Sequence, residues 1–262
     1  MSDECKYRLG LALSGGGARG LAHAGALKAI EESGLRPDVV AGVSAGSVIA
    51  VLYAAGIKPD DMLEVFIRMK FGDAVEFRLG GGGLFKIDKF KNRVMRAIAP
   101  AKNLEDLKLP IFIGATDLDH GKSVYFDHGP IGERMMASCS IPVVFKPVKI
   151  DGVNYVDGGV LHNLPSRVLR PQCRKLLSIN VSPMTPYKKS GSVLDIAMRT
   201  YNLILRHNVE EDQSLCDLAI ETRDISEYSV FNLKNIEKVF NSGYINTRSQ
   251  LRKAGWWKKE ID

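Results

Sequence analysis

Twice near its start the chain runs from an apolar stretch, through a glycine-containing turn, into a helix of small residues. The first unit joins a strand at 7–13 to Gly15-Gly16-Gly17-Ala18-Arg19-Gly20 and a helical pattern over 18–33. Leu21, Ala24, Leu27, Ala29 and Ile30 recur there at helical spacing, and Gly34 closes the helix as a residue tolerant of positive φ. The second unit joins the apolar run PDVVAGV at 37–43 to a small-residue helix over 44–55, closed by Gly56. An apolar strand without polar alternation is buried on both faces. Two strand–helix units in succession imply a parallel sheet with right-handed crossovers. This feature places the chain in the α/β class.

The alternation continues downstream. Helices are expected from 59 to about 70 and over 88–98, 131–139, 192–211 and 235–252. Strands are expected over 111–116, 176–181 and 218–221, with 123–126 folding back as a hairpin and 148–156 extended. With 262 residues, 45% of them hydrophobic and 25% charged, the chain can bury a sizeable core. It shows no internal repeat and no linker, so we expect one domain over 1–262.

Several function classes drop out on composition. The net charge of +6 is spread along the chain without a nucleic-acid motif and serves solubility, so no nucleic-acid partner is expected. Cys5, Cys139, Cys173 and Cys216 are scattered, without a C-x-x-C pair or a His at zinc spacing. We read them as ordinary thiols in a reducing compartment, with no metal site. No apolar run approaches the roughly 20 residues that span a bilayer. The first residues lack the basic-then-apolar layout of a secretory signal. A cytoplasmic protein is expected, able to touch a membrane surface from the side.

Gly15, Gly17 and Gly20 spell the G-x-G-x-x-G of a dinucleotide-binding turn. That reading requires an acidic residue closing the second strand, to bind ribose hydroxyls. Here the second strand ends in Gly42-Val43-Ser44-Ala45-Gly46, and Asp38 lies at its beginning, on the wrong edge of the sheet. A P-loop fails as well, because no Gly-Lys-Ser/Thr follows the glycines.

Gly42-Val43-Ser44-Ala45-Gly46 is instead G-x-S-x-G, a nucleophile elbow. A sharp strand-to-helix turn lifts the serine hydroxyl above the sheet, and the flanking positions crowd so closely that glycine fits. Ser44 would stand at a helix N-terminus, whose dipole favours developing negative charge. The carboxyl ends of parallel strands share one edge, so the Gly15–Gly20 loop and Ser44 meet there. Consecutive N–H groups ahead of a helix form an anion-binding concavity. Arg19 reads as a brace for that loop, since a guanidinium clamps backbone carbonyls well.

The base is less obvious. His23, His120, His128, His162 and His207 are available, and none stands in a catalytic setting. Ser44, Asp157 and His162 meet the chain order of an α/β-hydrolase triad, yet in that fold the elbow follows several strands rather than the second. Asp157 ends an extended run and is followed by Gly158-Gly159, whereas Asp117, Asp119 and Asp127 lie among turn residues. A carboxylate serves as base to a serine only when desolvated or held in tight geometry.

Together, Gly15-Gly16-Gly17-Ala18-Arg19-Gly20, Gly42-Val43-Ser44-Ala45-Gly46 and Asp157-Gly158-Gly159 resemble the motifs of the bacterial patatin-like phospholipase family. Ala137-Ser138-Cys139-Ser140-Ile141-Pro142 and the continuation to Asn163-Leu164-Pro165 add to the likeness. The resemblance implies a three-layer α/β/α sandwich with a central, mainly parallel sheet. It also implies a Ser–Asp dyad, with Ser44 as nucleophile and Asp157 as base. Gly15, Gly16 and Gly17 would supply the oxyanion hole, shaped by Arg19 and Gly20, and Gly42 and Gly46 would form the elbow. The implied reaction is hydrolysis of lipid carboxylic esters through an acyl-serine, without cofactor or metal. The alternatives are a thioesterase or small-ester esterase, or a non-catalytic ligand-binding protein on the same fold.

Two weaker features bear on lipid access. Gly80-Gly81-Gly82-Gly83-Leu84-Phe85-Lys86 joins a hinge to apolar residues and a cation, as a flap or a membrane-touching edge would. Trp256-Trp257-Lys258-Lys259 has the makeup of an interfacial anchor, and equally of a packed helix end.

Overall fold

β1 (Tyr7–Leu13) and β2 (Val39–Val43) lie parallel and adjacent, with Leu11 opposite Val40 and Leu13 opposite Gly42. The helix that joins them begins later than its pattern suggests. A 3₁₀ turn, Gly17–Gly20, leads into α1 (Leu21–Glu32). α2 (Ala45–Ala54) leaves β2 directly from Ser44. The computed structural model describes residues 5–67, 83–184, 192–228 and 235–258.

The remaining elements are α3 (Pro59–Ile67), α4 (Gly83–Ala97), β3 (Ile111–Asp117), β4 (Lys122–Phe126) and α5 (Ile131–Ser138). β5 (Val148–Ile150), β6 (Val153–Asp157), α6 (Ser166–Leu169) and β7 (Cys173–Asn180) follow. The chain then forms α7 (Val193–Ser214), β8 (Leu218–Glu221) and α8 (Ile236–Lys253). The sheet order is β5-β6-β3-β2-β1-β7-β8, with β4 paired to β3. Pairing is parallel from β3 through β8, while the antiparallel contacts gather around β3, β4, β5 and β6.

The run at 148–156 is not a single strand. It folds on itself at Asp151-Gly152, both at positive φ, into the β5–β6 hairpin. The two residues read as a mere interruption in an apolar stretch, yet they form the turn that reverses the chain.

Alternation along the strands builds the three layers. Leu9, Leu11, Leu13, Val40, Leu177 and Ile179 face one way, into the larger core with α1, α2 and α8. Ala12, Val39, Ala41 and Leu176 face the other way, against Leu164, Leu169 and Val209 beneath α6 and α7. Each fully buried leucine contributes about 1.5–3 kcal/mol over its exposed state. The sheet is thus the middle layer of an α/β/α sandwich.

Gly80-Gly81-Gly82 and the side chains of Gly83 to Lys86 lie outside the described residues. At the other end, Trp256 and Trp257 are half-buried against the core, and Arg248 and Arg252 stack on the Trp257 ring at 5.6 and 4.8 Å. Among the described residues no helix is long and apolar enough to cross a membrane.

Candidate active site

Sheet register brings Ser44 to Asp157. Val43, the last residue of β2, pairs with Gly114 of β3, and the next residue of β3, Ala115, pairs with Asp157 of β6. β4 occupies the other edge of β3 throughout, so β6 takes the edge that β2 vacates. The two strands point at each other head-on, and Ser44 and Asp157 are their tips.

The turn at Ser44 is strained. Its φ of 52° and ψ of −124° are sparsely populated by residues that carry a Cβ. A Cβ on Gly42 would stand 2.4 Å from the Gly46 carbonyl oxygen, and one on Gly46 would stand 2.4 Å from that of Leu13. Ser138 Oγ accepts the Ser44 N–H at 2.8 Å and donates to the Gly114 carbonyl at 2.6 Å, pinning the turn to β3. The Ser44 amide is therefore occupied, and its side chain is buried.

The glycine loop lies against this turn. A Cβ on Gly15 would be 3.1 Å from Ser44 Cβ, and one on Gly20 would be 2.5 Å from Ala45 Cβ. Its entry is held from several sides. Ser14 N–H donates to the Ile179 carbonyl, Val181 N–H donates to Ser14 Oγ, and Ser182 Oγ donates to the Gly15 carbonyl. His23 completes the brace. It is fully buried, burial lowers its pKa to about 4, and the neutral ring sits with Nε2 2.8 Å from the Ser14 carbonyl oxygen. Facing a pure acceptor, Nε2 is the donor.

The sequence model of the patatin-like phospholipase family matches residues 11–170, which include the glycine loop, the elbow and Asp157-Gly158-Gly159. The chain belongs to the patatin-like phospholipase family. An uncharacterised NTE family protein of Mycobacterium tuberculosis is 35% identical over 161 residues, covering 60% of this chain and 44% of that protein. The lysophospholipase nte1 of Aspergillus fumigatus is 30% identical over 172 residues, covering 61% of this chain and 11% of its own length. The chain thus spans less than half the length of the curated relatives it matches. Among solved structures, VipD from Legionella pneumophila shares the fold, with a TM-score of 0.55 at 14% identity over 95% of this chain and 67% of its own.

Within this patatin-like site the expected oxyanion residues separate. The Gly15 N–H is spent on the Asn163 carbonyl at 3.1 Å, and the Arg19 N–H on that of Gly16 at 3.2 Å. Among the described residues the N–H groups of Gly16 and Gly17 meet no acceptor. The Arg19 guanidinium turns away and donates to the Tyr228 and Ser226 carbonyls at 2.8 and 2.9 Å. It ties the loop to the segment after β8. Gly20 packs under the start of α2 and offers the site shape alone.

Asp157 is buried, and its Oδ1 accepts the Gly159 N–H at 2.8 Å. Desolvation pushes its pKa up to about 6, against the lowering effect of the Ser44 hydroxyl, the Gly159 amide and the Tyr201 hydroxyl. Among the described residues its Oδ2 has no hydrogen-bond partner. Cys139 closes the floor beside Ser47, and burial next to Asp157 pushes its thiol up to about 12, so it stays neutral.

No histidine reaches the pair. His162 Nδ1 lies 3.2 Å from Asp212 Oδ2, which removes it from the formal Ser44–Asp157–His162 order. His120 caps the turn at Asp117, His128 contacts its neighbour Asp127, and His207 is exposed on α7. Asp119 is occupied by Asn154, and Asp38 holds the Arg8 and Leu9 amides at the opposite edge of the sheet. Tyr201 escapes a sequence reading, because a tyrosine on the inner face of a long helix reads as core.

Proposed function

We propose that this chain is a serine esterase acting on lipid carboxylic esters, with Ser44 as nucleophile and Asp157 as its base. The observation that carries the reading is the hydroxyl–carboxylate pair itself, buried at the tips of two opposed strands and, among the described residues, unaccompanied by histidine or cation. A pKa of about 6 leaves Asp157 ionised at neutral pH and basic enough to accept a proton. As Ser44 Oγ attacks the acyl carbon, its proton passes to Asp157. The Gly16 and Gly17 N–H groups, unspent among the described residues, receive the developing oxyanion. Collapse expels the alcohol, which takes the proton from Asp157, and water then resolves the acyl-serine by the reverse path.

The lysophospholipase name carried by the fungal relatives favours phospholipid esters as substrates. Exposed apolar side chains, most of them on α7, favour contact with a lipid surface. Val193, Ile196, Leu203 and Ile204 lie on α7, the helix that brings Tyr201 to Asp157, and Val143 follows the Cys139 segment. Leu203→Ser with Ile204→Ser should lower turnover on phospholipid vesicles several-fold and leave a monomeric ester unaffected. Equal rates on both substrates would remove the surface contact.

Fluorophosphonate labelling tests the core of the proposal. The wild type should be labelled, and Ser44→Ala, folded by circular dichroism, should not. An unlabelled wild type that still hydrolyses esters would discard Ser44 as nucleophile. Labelling without phospholipid turnover would move the substrate to short esters or thioesters.

A further inference from the structure

The second oxygen of Asp157 is the least provided-for atom in the site. Oδ1 is taken by the Gly159 amide, while Oδ2 is buried with no hydrogen-bond partner among the described residues. The backbone of Asp157 is already engaged: its N–H donates to the Ser140 carbonyl, and its carbonyl accepts Thr116 Oγ1 at 3.1 Å. Three side chains that can lose a proton surround the carboxylate, and they come from three different elements. Ser44 approaches from the elbow, Cys139 from the end of α5, and Tyr201 from α7. No cation is among them.

These donors are not equivalent. The Ser44 proton is the one transferred in the reaction, so it cannot also hold the carboxylate still. Cys139 is a weak donor, and its sulfur contacts Ser47 Oγ at 3.9 Å. Tyr201 is a strong donor in a fixed place. It lies one helical turn from Leu205 on the inner face of α7, and a Cβ on Gly159 would stand 3.0 Å from its hydroxyl oxygen and 2.4 Å from Leu205 Cδ2. The second glycine of Asp157-Gly158-Gly159 is thus what leaves room for α7 to bring Tyr201 to the carboxylate. Burial and the adjacent carboxylate push the phenol well above its ordinary pKa, so it donates and does not ionise.

We propose that Tyr201 is a positioning residue for the reaction, its O–H donating to Asp157 so that the carboxylate is held toward Ser44 and kept ionised without a cation. The inference rests on Asp157 being the base. Tyr201 keeps its own proton throughout; the transferred proton moves from Ser44 Oγ to Asp157 and on to the departing alkoxide. A donor that stabilises the charged form lowers a carboxylate pKa, and its removal moves ionisation to higher pH.

The test is the pH dependence of kcat on a monomeric ester for wild type, Tyr201→Phe and Asp157→Asn. Tyr201→Phe should shift the acid limb upward by about one pH unit, with about a fivefold loss of kcat at pH 6, approaching tenfold by pH 5, and a KM within about twofold. A purely structural role for the ring would lower the whole profile and leave its acid limb in place, and that result overturns the proposal. Asp157→Asn should abolish turnover; if it retains both rate and limb, the parent assignment fails whatever Tyr201→Phe does. Should Tyr201→Phe not fold, 3,5-difluorotyrosine placed at 201 preserves the shape and strengthens the donor. The acid limb must then move to lower pH, and an unmoved limb again overturns the proposal.

Discussion

Asp157 and Asp212 are both buried carboxylates, the one facing α7 and the other on it, and they are provided for in opposite ways. Asp212 is fully paired, accepting from Arg167 Nε at 2.9 Å with His162 Nδ1 at 3.2 Å. Among the described residues Asp157 has one amide, two hydroxyl neighbours and no cation, and burial raises its pKa to about 6. Burial alone therefore does not mark a reactive carboxylate. The partners decide: guanidinium and imidazole make Asp212 a rivet between α7 and the α6 region, whereas neutral donors leave Asp157 able to take a proton.

That contrast can be broken experimentally from both sides. The largest effect is expected at Asp157. Asp157→Asn preserves shape and an acceptor for Gly159, yet removes the proposed base, and should lower kcat/KM by roughly 10³- to 10⁴-fold with the fold intact. Steady-state kinetics alongside circular dichroism would check this, and near-wild-type rates would transfer the base elsewhere. At Asp212 the damage should appear in stability. Asp212→Ala leaves Arg167 and His162 without their acceptor and should destabilise by about 2–3 kcal/mol in urea unfolding. This is less than for a fully enclosed pair, because Arg167 is partly solvated. Its kcat profile should keep the wild-type acid limb.

The smallest effect has an informative sign. A carboxylate whose pKa is raised on folding binds its proton more tightly in the native state. The Asp157 contribution to stability therefore falls as pH rises from about 4 through 6, and its full penalty persists above. Asp157→Asn removes that titration. It should be more stable than wild type by about 1–3 kcal/mol at pH 8, with the advantage shrinking at pH 5. A difference that does not change with pH would mean that the buried carboxylate is better solvated than its surroundings indicate.

The sequence made one half of this comparison readable. β1, β2, the elbow and Asp157 rest on local signals: an apolar run, a glycine turn, a carboxylate at a strand end. Their mutual approach follows from parallel pairing along one sheet edge. What remained hidden depends on distant partners. Asp212 and Tyr201 reach the sheet only through the docking of α7, and pairwise matches of this kind leave no local pattern. A faint signal existed, since Tyr201, Leu205, Val209 and Asp212 share one helical stripe whose ends are polar. The use of the Gly15 N–H by Asn163 was equally invisible, because it joins loops whose spacing in sequence says nothing of their contact. The β5–β6 reversal was legible in principle, from Asp151-Gly152, but sits inside an otherwise continuous strand-like run.

The backbone of Ser44 carries a lesson about inheritance. At φ 52° and ψ −124° a side chain is a burden of roughly 1–3 kcal/mol, and glycine at that position would relieve it. Asparagine at 157 would relieve a second burden. For a lineage released from the need for turnover, both replacements would be gains in stability, so decay of such a site runs downhill. A serine kept at that turn, opposite an ionisable carboxylate, is held there against the preference of the fold.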